Sequence, residues 1–334
     1  MMNIPRKNSA KMRCTMELDR RSLLFGGSQI LLAGAAATGL RSVSAQEKLD
    51  SAEPTKIPAG MSSRFVDVNG IRMHYVAMGS GPVLVLLHGW PETWFAWRGI
   101  MPRLARKFTV VAADLRGSGL SERTDAGYDK QTIAEDIRAL IAHLGPAPAH
   151  VVGHDMGGKA AYVLAHLYPQ AVSRLVLVDC LLPGTENLDA LRGGAWHYGF
   201  HMASEFPEML TMGRERDYIR AQIRAWSHNK MAISEDAKSE FAYHYARPGG
   251  MTAGFNYYRA LRQDARFAEA LRGRKLTPPV MTITGRYGVG DKLAESLRGQ
   301  AADLTSVVAE DSGHFVAEEV PDFFCEKLET FLVG

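Results

Sequence analysis

Three short segments carry residue types that could do chemistry: 151–158 (Val-Val-Gly-His-Asp-Met-Gly-Gly), 87–94 (Leu-His-Gly-Trp-Pro-Glu-Thr-Trp) and 312–315 (Ser-Gly-His-Phe). In the first, an apolar strand-like run enters a tight turn flanked by Gly153 and by Gly157-Gly158, and a helical pattern follows from 159 to 166. This is a nucleophile-elbow layout, G-x-S-x-G, with Asp155 in the serine position. The turn is strained, and small neighbours let the backbone pass close while the central side chain stands exposed at the helix N-terminus. A carboxylate presented there and attacking an sp³ carbon would give an alkyl ester that must then be hydrolysed; serine-type acyl transfer is closed to it. Taken alone, Asp155 would also suit a helix N-cap.

The other two segments decide for a catalytic role. Residues 87–94 follow the first long apolar run, where the backbone N–H groups of Trp90 and Met156 could converge on one oxygen of Asp155 and stabilise negative charge during ester hydrolysis. His314 follows the last strand-like run and would activate the hydrolytic water, which keeps the chain order nucleophile, acid, base. Two acids could orient it. Asp179 ends the apolar run 175–178, where an ionised carboxylate is costly unless paired, and is preferred; Asp291 lies in a Gly-rich loop, where it could cap a helix over 292–298.

These residues need a scaffold that brings strand ends together. Residues 64–68 and 71–78 read as a hairpin closed by Asn69-Gly70. Continuous apolar runs at 83–87, 109–113, 150–153, 175–178 and 280–284 alternate with helical patterns, which predicts a mostly parallel sheet covered by helices on both faces. Between 183 and 267 the strand signal vanishes and aromatic, Met and charged residues recur at helical spacing, as at 214–230 and 235–246. The expected organisation is a core of 64–182 and 268–334 interrupted by a helical cap of 183–267, with a final helix over 321–332 and no internal repeat.

The N-terminus differs from the rest. Asp19-Arg20-Arg21-Ser22-Leu23-Leu24 leads into a Gly- and Ala-rich apolar run ending at Val43-Ser44-Ala45. Paired arginines before a weakly hydrophobic stretch and a small-residue site predict a twin-arginine export signal over 1–45, with Met16 as an alternative start, then a linker over 46–63. The expected location is periplasmic or secreted, without stable membrane insertion. Seven of the 39 Lys and Arg and two of the 36 Asp and Glu fall in 1–45, so the remainder holds 32 basic and 34 acidic residues, a net −2. With no basic stripe, nucleic acid is not an expected partner. The composition, 46% hydrophobic, excludes disordered and collagen-like chains. Cys180 and Cys325 fall in apolar segments and are expected to be buried free thiols; no His/Cys spacing suggests a metal.

The motif His88-Gly89-Trp90-Pro91-Glu92-Thr93-Trp94 resembles the H-G-x-P-E-x-W loop of the epoxide hydrolase and dehalogenase branch of the α/β-hydrolase fold. From about residue 64 to the end the chain is most similar to secreted epoxide hydrolases of the Cif type, sharing Trp196-His197, Arg214-Glu215-Arg216 and Phe255-Asn256-Tyr257-Tyr258-Arg259-Ala260-Leu261. The resemblance implies an α/β-hydrolase fold with an inserted cap. It implies Asp179 as the triad acid, and His197 and Tyr258 as the pair holding the epoxide oxygen, with Tyr257 as the substitute for Tyr258. No cofactor or metal is implied. Water and a small hydrophobic epoxide are the implied partners, in a pocket expected to draw on Trp196, Phe200, Met202, Phe206 and Met209; a homodimer is implied by the resemblance alone. Haloalkane dehalogenases place Trp after the nucleophile, and fluoroacetate dehalogenases place Arg there and again three residues later. This chain has Met156 and Lys159, which leaves haloacid or haloalkane hydrolysis as the alternative activity and a non-catalytic binding protein as a further one.

Overall fold

Where side chains on both faces of a strand are apolar, both faces must be covered, and the apolar runs accordingly form the interior of an eight-stranded sheet. The computed structural model describes residues 57–271 and 273–333, so the expected leader, 1–45, and most of the expected linker lie outside the described residues. The strands are β1 Ser62–Val68, β2 Ile71–Met78, β3 Val83–Leu87, β4 Thr109–Ala113, β5 Ala149–His154, β6 Val172–Val178, β7 Val280–Gly285 and β8 Leu304–Ala309. Their spatial order is β1-β2-β4-β3-β5-β6-β7-β8. β2 alone runs opposite to the other seven strands. Asn69 and Gly70 both take positive φ (43° and 77°), which the tight β1–β2 hairpin requires.

Two differences from the sequence expectation concern edges. β1 begins two residues inside the expected linker, and β8 is a strand that the apolar runs do not announce. β8 lies at the sheet edge with Thr305 and Ser306 exposed, so it lacks the continuous apolar signature of its inner neighbours.

Helices α1 (Lys130–Leu144) and α2 (Asp155–Leu167) pack on each other, and α2 lies against β5 and β6. Asp129 starts α1 by accepting from the Thr132 N–H at 3.0 Å. Between β6 and β7 the chain forms six cap helices: α3 Trp196–Met202, α4 Phe206–Thr211, α5 Glu215–Trp226, α6 Glu235–Ala246, α7 Gly250–Arg259 and α8 Leu261–Ala270. The last of these runs three residues beyond the expected cap boundary. After β7 come α9 (Lys292–Leu297) and α10 (Pro321–Val333). Cys180 and Cys325 are buried and free, as expected.

Between β4, β3 and β5 the chain direction across the sheet reverses, and such switch points open a crevice at the carboxyl ends of the strands. Trp90 lies just past β3 at this crevice. Its ring meets His201, Tyr245, Phe255 and Tyr258 of the cap with centroids 4.6–6.1 Å apart. The approach is close enough that a Cβ on Gly254 would fall 1.8 Å from the Trp90 ring. Gly254→Ala is therefore expected to destabilise the protein by about 1–3 kcal/mol through overpacking. Gly199→Ala, at a site with nothing within 4 Å, is expected to be neutral or slightly stabilising. Urea unfolding midpoints of the two variants check the contrast.

Candidate active site

Each strand that ends at the crevice delivers one group. β3 leads into His88-Gly89-Trp90, β5 into Asp155, β6 into Asp179, and the chain after β8 into His314. Asp155 is the first residue of α2 and has φ 47°, while the N-cap position belongs to His154. Asp155 is thus not the cap. Its left-handed backbone is the strained elbow that turns the carboxylate out of the sheet. The elbow closes only because Gly157 carries no side chain: a Cβ there would lie 2.5 Å from the His88 carbonyl and 2.7 Å from that of Leu87.

The structure brings Asp155, Asp179 and His314 together. His314 Nδ1 is 2.7 Å from Asp179 Oδ2, and its Nε2 faces Asp155 Oδ2 at 4.0 Å. Asp179 is fully buried, has φ 36°, and its Oδ1 accepts the N–H groups of Gly285 (2.9 Å) and Val289 (3.0 Å). Those bonds supply the pairing that burial of a carboxylate demands. Asp291 stands apart. It occupies the N-cap position of α9 without a capping bond, and its carboxylate instead pairs with exposed Arg286 at 3.0 Å.

Trp90 donates its backbone N–H to Asp155 Oδ1 at 2.9 Å. Met156 follows in the first turn of α2, where backbone N–H groups lack intrahelical acceptors, but it makes no bond to the Asp155 carboxylate in this structure. Burial works against the charge on Asp155. Coulombic interactions with the His314, His154 and Lys159 side chains, together with the Trp90 N–H, outweigh it and hold the carboxyl below its ordinary range.

Lys159 is fully buried and consumed by other partners: its Nζ donates to the Leu181 carbonyl and the Glu186 carboxylate, both at 2.5 Å. Burial opposes its charge, and Glu186 more than restores it, so its pKa rises. It lends positive potential to Asp155 without reaching toward a ligand.

Behind the nucleophile stands His154, a residue that sequence reasoning misses. Its Nδ1 lies 2.8 Å from Glu92 Oε2 and its Nε2 lies 3.0 Å from the His314 carbonyl oxygen. With an acceptor at each ring nitrogen, the imidazole is held as imidazolium. Burial favours the neutral form, but Glu92 overrides it and raises the pKa to about 9. The only sequence signal is adjacency to Asp155; the pairing with Glu92 spans 62 residues of chain.

A cavity of about 580 Å³ opens over Asp155, lined among others by His197, Tyr198, Tyr258, Trp226, His228 and Tyr287. Burial pushes His197 down to about 4 and Tyr198 up to about 12, and raises Tyr258 well above the ordinary tyrosine value, so all three are neutral near pH 7. The Tyr258 hydroxyl has no hydrogen-bond partner among the described residues, which leaves it free to donate into the cavity. Tyr257 cannot take its place, because its hydroxyl donates to the Arg116 carbonyl at 2.5 Å and contacts Ser118 Oγ at 3.1 Å inside the core.

The five pocket residues expected from the cap are a correction, because none of them lines the cavity. Trp196, Phe206 and Met209 are exposed to solvent. Helical spacing marks an apolar face but does not say which face turns inward. Among the described residues no cluster of three or more His, Cys, Asp or Glu could hold a metal ion, and no helix is long and apolar enough to cross a membrane.

A parallel sheet with an acid at the elbow and a His–Asp pair facing it defines a hydrolase of the α/β class. The family profile described as the alpha/beta hydrolase fold matches residues 82–321, and the chain belongs to that family. Among relatives, a soluble epoxide hydrolase of Corynebacterium sp. (strain C12) is 37% identical over 278 residues, 77% of this chain and 92% of that protein. The crystal structure of Cfl2 from Burkholderia cenocepacia superposes with a TM-score of 0.78 at 35% identity, over 84% of this chain and 99% of that one. The Cif epoxide hydrolase from Acinetobacter nosocomialis superposes at 0.79 with 25% identity, over 92% and 100%.

The His154–Glu92 pair has a pH signature. The folded pKa of His154, about 9, lies above its ordinary 6.5, so the pair's contribution to stability is complete below about pH 6.5 and is lost as pH rises through about 9. The thermal midpoint of the wild type is expected to decline across that window more steeply than that of Glu92→Gln, and the His154 ring resonance to titrate near its upper end. Parallel midpoint curves for the two proteins would refute the assignment.

Proposed function

We propose that this chain is an exported epoxide hydrolase that opens an epoxide to a vicinal diol through an alkyl ester on Asp155. The observation that carries the proposal is the carboxylate at the elbow facing a His–Asp pair, beneath a wall holding His197 and Tyr258. The 37% identical soluble epoxide hydrolase supports the same substrate class.

Asp155 Oδ2 attacks a ring carbon, and the C–O bond breaks toward an oxygen that accumulates negative charge. His197 and Tyr258, neutral because buried, donate hydrogen bonds to that oxygen, and a tyrosine O–H supplies the proton it needs. Water then attacks the Asp155 Cγ while His314 Nε2 takes its proton. Asp179 holds the imidazole in the tautomer with a free Nε2 and stabilises the imidazolium that forms. The developing oxyanion sits on Oδ1, where the Trp90 N–H already points, with the Met156 N–H of the first turn of α2 as the second donor in the scheme. Collapse of the intermediate expels the second diol oxygen, which takes the proton held by the His314 imidazolium, and the proton left on the Asp155 carboxyl returns through solvent to the Tyr258 oxygen, so that the diol leaves with Asp155, His314 and Tyr258 all restored. Apart from the epoxide and water, every group in this scheme belongs to the chain.

Haloacid hydrolysis would need a paired cationic grip on the substrate carboxylate. Met156 has no charge, and Lys159 is occupied by Glu186 and Leu181, which favours the epoxide. Pocket walls from Leu181, Ala195, Trp226 and Val289 suit an apolar substituent on the ring. Assembly as a homodimer rests on the resemblance to Cif-type enzymes.

The deciding assay is diol formation from a panel of aliphatic and aromatic epoxides, run beside halide release from haloacetate. Asp155→Asn is expected to lower diol formation at least about a thousand-fold. Halide release without diol would replace the epoxide by a haloacid; ligand binding with neither product would make the protein a binding module. Export is tested separately. Replacing Arg20-Arg21 by two lysines is expected to leave uncleaved protein in the cytoplasm, and unchanged secretion would overturn the twin-arginine assignment.

A further inference from the structure

Glu319, in the short helical turn Val316–Glu319 before α10, is buried at 8% exposure and lies outside the catalytic groups described so far. Its two carboxylate oxygens serve two different pieces of chain. Oε2 accepts the N–H groups of His228 (2.8 Å) and Asn229 (2.9 Å), in the cap segment that follows α5. Oε1 accepts those of Gly313 (3.1 Å) and Phe315 (3.2 Å), the residues on either side of His314. The two pieces also touch directly. The His314 N–H donates to the Trp226 carbonyl at 3.1 Å, and a Cβ on Gly313 would fall 2.5 Å from both the Trp226 carbonyl oxygen and the His228 nitrogen.

The cap segment held in this way is a wall of the cavity. Trp226, His228 and Lys230 line it. The Trp226 ring packs edge-on against the His314 imidazole with centroids 5.7 Å apart, and His228 stacks on Tyr287 of the core at 3.8 Å. The wall and the loop that carries the base are thus joined by the Glu319 carboxylate and by the direct bond from the His314 N–H to the Trp226 carbonyl.

We infer that Glu319 is a positioning residue: it clasps cap segment 226–229 to the His314 loop, so that substrate seating and placement of the hydrolytic base are set together. The inference rests on the epoxide hydrolase reading for its kinetic consequence. Alkylation needs Asp155 and the oxygen donors, whereas ester hydrolysis needs Nε2 of His314 within reach of water, so loosening the clasp falls on the second step. A carboxylate is required because each oxygen receives two donors. In Glu319→Gln one oxygen becomes an NH₂ facing two N–H groups, so one segment must come loose while the other stays bonded.

The test compares wild-type protein, Glu319→Gln and Glu319→Ala in single turnovers with an epoxide that the wild type hydrolyses, beside amide hydrogen exchange of the same proteins. For Glu319→Gln, decay of the Asp155 ester is expected to slow roughly 10- to 100-fold, while its formation changes less than about 3-fold, so the added mass on Asp155 accumulates. Exchange is expected to quicken at 228–229 or at 313–315, with the rest of the core protected as in the wild type. Wild-type ester decay in Glu319→Gln, or exchange raised uniformly over the whole chain, would overturn the inference. If the wild type forms no ester with any epoxide, the functional reading fails by itself, and unchanged exchange at the amides of His228, Asn229, Gly313 and Phe315 in both variants would then overturn the clasp.

Discussion

The structure depends on a carboxylate forced into a left-handed backbone conformation. A non-glycine residue at φ 47° costs on the order of 1–3 kcal/mol and persists only where its surroundings over-determine it. Here they do. β5 and α2 are both anchored in the core, Gly157 lets α2 lie against the β3 loop, and the Gly157 N–H donates to the His88 carbonyl at 3.1 Å. Asp179 repeats the device at the end of β6 with φ 36°. Two neighbouring parallel strands thus end in strained acidic residues, and the strain aims both carboxylates at the same imidazole.

Placing two carboxylates in a buried cleft sets the electrostatic problem that the remaining groups solve. Asp179 is satisfied by backbone N–H groups and by His314. Asp155 is stabilised at a distance by cations that are themselves tied elsewhere: Lys159 to Glu186, His154 to Glu92. Because these cations are already paired, they bias the site without sealing the nucleophile into an ion pair. The same carboxylate chemistry recurs at Glu319, which gathers four backbone donors from the cap and the base loop.

Much of this is legible in the chain. Strand positions are readable because two-sided burial leaves continuous apolar runs, and the signal fails at β8, where an edge position mixes polar and apolar residues. The elbow, the oxyanion loop and the base are readable because each depends on local backbone geometry with a compositional mark, glycine above all. The preference for Asp179 over Asp291 follows from the desolvation argument, and the structure pairs Asp179 with His314 and Asp291 with Arg286. Pocket lining is not readable, and the five cap residues expected there do not line it.

The sequence by itself determined the class of fold, the chemistry open to Asp155 and the order of the groups around it, because those follow from residue type and from geometry within a few residues. Only the tertiary structure decided which cap face closes the cavity, that Tyr258 and not Tyr257 is free to donate, and that Lys159 is occupied. It alone shows that His154 meets Glu92 and that Glu319 joins the cap to the base loop. These are contacts between segments far apart in the chain, and they are fixed by how the helices pack rather than by any periodicity a segment carries within itself.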